Sequence, residues 1–503
     1  MTNTDFASPP PDLLSSGALN AGALNAGALR QLNAKVTEVF RSLAIDKRRL
    51  PASQLGQRGI PAYVAEWVLE SIVPGQGELG QDEATKVLDW AARVIPGPSE
   101  QHIIKHKLAQ GQTVKVLTPL QAEILLKKGR EPERLAQLSL LGISDAYISD
   151  SLLEDHADLL RQGMWGVVEL GALKDGVAVL SFKPMQATVN LPLFKEARRK
   201  FTLHEWRALL LVTLGFDPVA FSEHQQTLLL CRLLPLVQKN MHMMELAPKG
   251  TGKSFTYENI SPKVRLVSGG NISRAVLFVN NANGTWGLLA RFKVVVLDEI
   301  QTSKFTNPEE IVGGLKGYLA NGKLTAGGLY ESASDCGFVM LANITLDDNQ
   351  NPVKASLVEE LPRFLRETAF LDRIKALLPG WQLPKLSSRL LISADSPLTV
   401  GLKSDFFGDA LIALREDLGA ESYSARAVRL GGEKPYRRNE ESVRAIAAGL
   451  MKIQFPHGEV EPADFYQYCL KPAIQLRQGI WDELYALDSE YRQYAPRITQ
   501  AKT

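Results

Sequence analysis

Apolar residues recur along this chain at two spacings, and the changeovers divide it into regions. In LRQLNAKVTEVFRSL, PAYVAEWVLESIV and EATKVLDWAARVI, between residues 29 and 95, they fall three or four apart, the period of a helix with one buried face. IPGPSE punctuates the end of that run. From about residue 110 to 190 the texture becomes short β-type runs, QTVKVLT, GMWGVVELG and GVAVLSFKP, broken by turns with Gly and Asp. That predicts a small barrel or sheet with helical insertions. Helical spacing resumes in TLHEWRALLLVTLGF and HQQTLLLCRLLPLVQ. Uninterrupted apolar runs follow in MHMMELA (241–247), FKVVVLDEI (292–300) and GFVMLANI (337–344), the pattern of strands buried on both faces of a parallel sheet. ETAFLDRIKALLPGW (367–381) and NEESVRAIAAGLMKIQFP (439–456) read as amphipathic helices. The expected divisions are a flexible tail at 1–30, helices at 31–108, a β-rich unit at 109–195, an α/β core at 196–395 and helices at 396–503. In the tail, the repeated GALNA unit offers few large side chains to bury.

The polar segment between MHMMELA and the next helix start is PKGTGKS. A phosphate-binding loop has the form GxxxxGK[ST] between a strand and a helix, and Gly250, Thr251, Gly252, Lys253 and Ser254 supply its end. Backbone N–H groups wrap the phosphates, Lys253 reaches the β- and γ-phosphates, and the Ser254 hydroxyl meets Mg²⁺. Ala247 stands where the pattern begins with glycine, and a methyl is tolerated there if φ is negative. The next apolar run ends in Asp298 and Glu299, one to hold Mg²⁺ and the other to polarise the attacking water. Asn343 ends the run after that, placed to orient the water or sense the γ-phosphate. Arg373 is a candidate for insertion into a neighbouring subunit's site, with Arg363 and Arg366 as competitors, and Arg444 for phosphate contact within its own subunit. The expected cofactors are ATP and Mg²⁺.

Composition narrows the picture. With 503 residues, a formal charge of +2 and 22% charged residues, the chain does not announce a nucleic-acid binder. Any such surface has to be local, built from clusters such as DKRR (46–49), LLKKGR (125–130) and EARRK (196–200). Cys231, Cys336 and Cys469 have neither metal spacing nor a disulfide framework, which suits a reducing cytoplasm. No apolar run reaches the ~18 residues of a membrane span. HIIKH (102–106) has the i, i+4 histidines of a zinc helix, but Ile103 takes the place of the required glutamate.

Taken jointly, ELAPKGTGKS, VVVLDE, VMLANI, AFLDRIKALLPGW and the Arg444 helix resemble an AAA+ ATPase. More narrowly they resemble the BrxL family, the Lon-related AAA+ proteins of BREX phage-defence systems. YVAEWVL, GMWGVVEL, FTLHEWRALLLVTLGFDPVAF (201–221), LVSGGNISRAVLFVNNANGTWGLL (266–289) and VRAIAAGLMKIQFPHGEVEPADF share the look, which runs from roughly 35 to 490. The resemblance implies an N-terminal helical portion with a role in DNA binding and an OB-like barrel, ahead of an MCM-like AAA+ core with a helical lid. It also implies a hexameric ring, or two stacked hexamers, around double-stranded DNA, working with other BREX proteins. The segment 320–337 reads as a hairpin turning at Gly327 and Gly328, which by analogy enters the pore, with only Lys323 at its base. Members carry a Lon-like protease domain with a Ser–Lys dyad; the stretch from His457 to Thr503 is too short for one, so no proteolysis is expected. Two other readings remain open: a nucleotide-gated DNA scaffold, and a protein remodeller using Tyr330 in GGLYES as its pore aromatic.

Overall fold

Five strands, four of them apolar runs, pair edge to edge to form a wholly parallel sheet. The computed structural model describes residues 24–126, 131–185, 189–280, 284–326, 330–432 and 435–501. In chain order the strands are β1 (Met243–Ala247), β2 (Val264–Ser268), β3 (Val294–Asp298), β4 (Gly337–Asn343) and β5 (Ala376–Pro379). In space they lie β5-β1-β4-β3-β2. The chain leaves β1 for the far edge, works back to β4, and finally places β5 on the other side of β1. Every residue of β1 and β3 is buried, because helices cover both faces of a sheet whose crossovers are all parallel. This is the α/β arrangement of an AAA+ core.

The sheet corrects one reading. Residues 367–381 are not one amphipathic helix: only Thr368–Leu371 is α-helical, and Ala376–Pro379 enters the sheet as β5 before a 3-10 turn at Gly380–Gln382. A short apolar run such as IKALLP satisfies either period. Here the open flank of β1 decides, pairing Ala376 with Met243 and Pro379 with Leu246.

Ahead of the core, Val114–Leu125, Glu133–Leu138, Ile143–Tyr147, Met164–Leu173 and Gly176–Pro184 close into a barrel with its own core. The first helix, Ala26–Phe40, begins inside the repeat region, with the Asn25 side chain accepting a hydrogen bond from the Ala28 N–H at 2.8 Å. The rest of the expected tail, 1–23, lies outside the described residues.

The N-terminal helices are sewn into the α/β body. The strand Ala44–Asp46 pairs antiparallel with Val400–Leu402. Beside it the buried Lys47 ammonium meets Glu66 at 2.6 Å, and Glu66 accepts the Ser404 hydroxyl at 3.0 Å. The Asn259 side chain, at the end of the helix that follows the phosphate loop, accepts the Ala62 N–H at 2.9 Å.

Candidate functional site

In an open α/β sheet, ligands bind at the carboxyl ends of the strands where the strand order reverses. That place is the end of β1, between β4 and β5. The loop leaving it, Pro248–Gly252, feeds α1 (Lys253–Asn259). Gly250 and Gly252 have φ of 84° and 74°, left-handed values that favour glycine. A Cβ at Gly252 would also stand 2.7 Å from the Leu386 side chain.

The side chains converge as the motif requires. The Lys253 ammonium donates to the carbonyls of Ala247 at 3.2 Å and Pro248 at 3.1 Å, and to Asn343 Oδ1 at 3.0 Å, so it ties β1 to β4. Burial pulls its pKa below the ordinary lysine value. The Ser254 hydroxyl donates to Asp298 Oδ2 at 2.5 Å. Asp298 Oδ1 in turn accepts the Glu299 N–H at 2.8 Å. Glu299 has φ of 48°, a left-handed conformation that costs a non-glycine residue about 1 kcal/mol or more. Local strain of this kind is characteristic of functional positions, and here it bends the chain off β3 directly after Asp298. Glu258, one helical turn beyond Ser254, has its pKa raised by burial and then by the Asp298 carboxylate.

The donor set fits a hydrated Mg²⁺. Among the described residues no three His, Cys, Asp or Glu side chains group into a metal cage. A hydroxyl beside one carboxylate suits an ion that retains several waters and takes its other ligands from phosphates.

The structure also explains Ala247. A Cβ built on Gly380, just past β5, would lie 2.6 Å from the Ala247 methyl and 2.7 Å from Glu245 Oε1. The neighbouring strand supplies the space that the motif's missing glycine would have left. Gly380→Ala should therefore destabilise the protein by about 1–3 kcal/mol and weaken ATP binding. Adding Ala247→Gly should restore part of both losses, read by thermal unfolding and nucleotide titration.

The arginines stand apart from this cluster. Arg373 precedes β5 by three residues and so lies at the opposite edge of the sheet, roughly 17 Å of strand from the loop. Its guanidinium donates to the Ala369 carbonyl. Arg366 caps the carbonyls of Leu361 at 2.7 Å and Glu359 at 3.0 Å, while Arg363 is exposed. Arg444, on α2 (Arg437–Gln454), binds the Val428 carbonyl at 3.1 Å and pairs with Glu440 one turn earlier. Within one subunit neither Arg373 nor Arg444 joins the loop.

One basic cluster, 46–49, turns inward, whereas of the basic residues in 196–200 only Arg198 is buried and Arg199 and Lys200 stay exposed. Lys47 and Arg49 are buried, and Arg48 is paired with Asp46 and Glu78. Arg198 is buried against Trp206, and Arg199 pairs with Glu196 and Glu459. Of the third cluster, 127–130 lies outside the described residues, as do Gly327 and Gly328 at the hairpin turn. The hairpin strands Lys323–Ala326 and Tyr330–Ala333 do pair, and Lys323 is bound to Glu331 at 2.8 Å. Among the described residues no helix is long and apolar enough to cross a membrane.

Comparison with known proteins agrees with this geometry. The family described as Lon-like protease BrxL-like, ATPase domain, matches residues 177–497, and the BREX system Lon protease-like protein BrxL N-terminal family matches 38–171. The chain is 27% identical over 436 residues to the Lon-like protease BrxL of Escherichia coli O9:H4 (strain HS), covering 84% of this chain. It is 26% identical over 466 residues to the protein of the same name from Bacillus cereus (strain H3081.97), covering 91%. It spans 60% and 67% of those two relatives' lengths. A full-length MCM homolog from Methanopyrus kandleri superposes with a TM-score of 0.40 at 12% identity, over 89% of this chain and 100% of that one. With both halves of the chain matched and an AAA+ sheet carrying the phosphate loop, this protein belongs to the BrxL family of BREX systems.

Proposed function

We propose that the protein is an ATPase whose subunits assemble into a ring and couple ATP hydrolysis to engagement of double-stranded DNA in BREX defence. The observation that carries the hydrolytic part is the convergence of Lys253, Ser254, Asp298, Glu299 and Asn343 at adjacent strand ends. In this reading Lys253 exchanges its carbonyl partners for the β- and γ-phosphates. Ser254 and Asp298 hold Mg²⁺, which supplies charge neutralisation at the phosphates. Glu299 accepts a proton from the attacking water, and Asn343 fixes that water's orientation. Arg373 serves the nucleotide of an adjacent subunit, since its own lies across the sheet. Arg444 contacts phosphate only after leaving Val428 and Glu440.

Ring assembly and DNA engagement are supported by family membership and by the barrel and hairpin that accompany the core. Burial of Lys47 and Arg49 removes that cluster from DNA contact and leaves the exposed Arg199 and Lys200 as basic groups that can reach phosphates. ATP turnover measured with and without double-stranded DNA tests the reading, with release by salt as the companion observation. Stimulation by DNA is expected. Turnover indifferent to DNA but raised by unfolded polypeptide would overturn the DNA assignment in favour of protein remodelling. Arg373→Ala should leave ATP binding near wild type and cut turnover by about a hundredfold or more. Unchanged turnover would transfer the role to Arg363 or Arg366.

A further inference from the structure

The loop that carries Lys253 is held from behind by a charged pair that the proposed chemistry does not use. We propose that Arg232, locked in place by Glu245, is a positioning residue that aims the amides of the phosphate loop; this rests on reading residues 247–254 as a nucleotide site. Arg232 follows the helix Glu223–Cys231, and Glu245 sits in the middle of β1. Both side chains are fully buried. Arg232 Nε donates to Glu245 Oε2 at 3.1 Å and Nη2 to Oε1 at 2.7 Å, a two-pronged pairing that fixes the guanidinium plane. From that plane Nη2 also donates to the Thr251 carbonyl at 3.0 Å, and Nη1 reaches the Gly252 carbonyl at 3.4 Å.

The consequence follows from peptide geometry. In a planar trans peptide the carbonyl and the next residue's N–H point in opposite directions. Holding the Thr251 carbonyl behind the loop turns the Gly252 N–H toward its front, and holding the Gly252 carbonyl does the same for the Lys253 N–H. The Leu386 N–H, bound to the Gly250 carbonyl at 2.7 Å, turns the Thr251 N–H likewise. The Gly252 carbonyl is also fixed by the Thr256 N–H at 3.3 Å and the Thr256 hydroxyl at 3.2 Å, so Arg232 has its main effect at the Thr251 carbonyl, between two glycines whose left-handed φ constrain the peptides little. A buried ion pair is a poor device for stability alone, because desolvation offsets its attraction and an apolar pair of equal volume packs as well. What an apolar pair lacks is the planar fork of donors. Glu245 is itself confined, with Gly380 leaving room for its carboxylate.

The test uses the full chain with two variants. Arg232→Met combined with Glu245→Met keeps volume and strands no lone charge; Arg232→Lys keeps charge but not the fork. Both should unfold cooperatively, while KM for ATP rises about tenfold or more in the double variant and by a smaller factor in Arg232→Lys. The value of kcat at saturation should change much less, because the amides grip ground and transition states alike. A folded double variant with unchanged KM overturns the proposal, and so does Arg232→Lys with wild-type KM. If the double variant does not fold, Arg232→Lys decides. Absence of ATP binding by the wild type would instead overturn the nucleotide-site reading, and that is seen before any variant is made.

Discussion

Replacing Lys253 by alanine should weaken ATP binding by about a hundredfold or more, enough to remove it at micromolar nucleotide. This ammonium serves three acceptors, the carbonyls of Ala247 and Pro248 and the Asn343 side chain. It is buried, and burial lowers its pKa, so a phosphate oxygen beside it gains an attraction that water screens little. The variant forfeits that gain. The same substitution leaves the Asn343 amide without its partner, so thermal unfolding should accompany the titration. A variant that melts like the wild type yet binds ATP with unchanged affinity would contradict the assignment of the loop.

Replacing Glu299 by glutamine should have the opposite signature, with ATP retained and turnover reduced about a hundredfold to ten-thousandfold. The change removes the proton acceptor and keeps the shape. The hydrogen bond from the Glu299 N–H to Asp298 Oδ1 does not use the Glu299 side chain and survives it. ATP-bound subunits should then accumulate in whatever assembly ATP favours, visible as a larger species by light scattering. Turnover near wild type would move the base elsewhere, with Glu258, close enough to feel the Asp298 charge, a carboxylate to consider.

Much of this was legible in the chain because chemistry that handles phosphate leaves residues at fixed offsets. The loop, the acidic pair and Asn343 each end an apolar run, and strand ends on one sheet edge have to meet. β5 was misread because six residues cannot distinguish two periods, and β2, VRLVS, is too polar to stand out as a buried strand. Arg232 and Glu245 went unnoticed although a signal exists. Each is the single charge inside an apolar run, LLLCRLLPLV and MMELA, and a lone buried charge requires a partner. Gly380 was beyond reach, since its importance lies in which strand ends beside β1.

The strand Ala44–Asp46 has a consequence for how the chain is made. Its edge partner, Val400–Leu402, leaves the ribosome long after it, and the Asp46–Thr399 hydrogen bond spans 353 residues. At about 5–20 residues per second that interval is roughly twenty to seventy seconds. Through it the Lys47–Glu66 pair lacks Ser404, and a strand edge waits uncovered while the barrel beyond it can already close. Newly made chains are thus vulnerable to cleavage and mispairing near residue 44 until residues 400–404 emerge, so a strand made early is secured late.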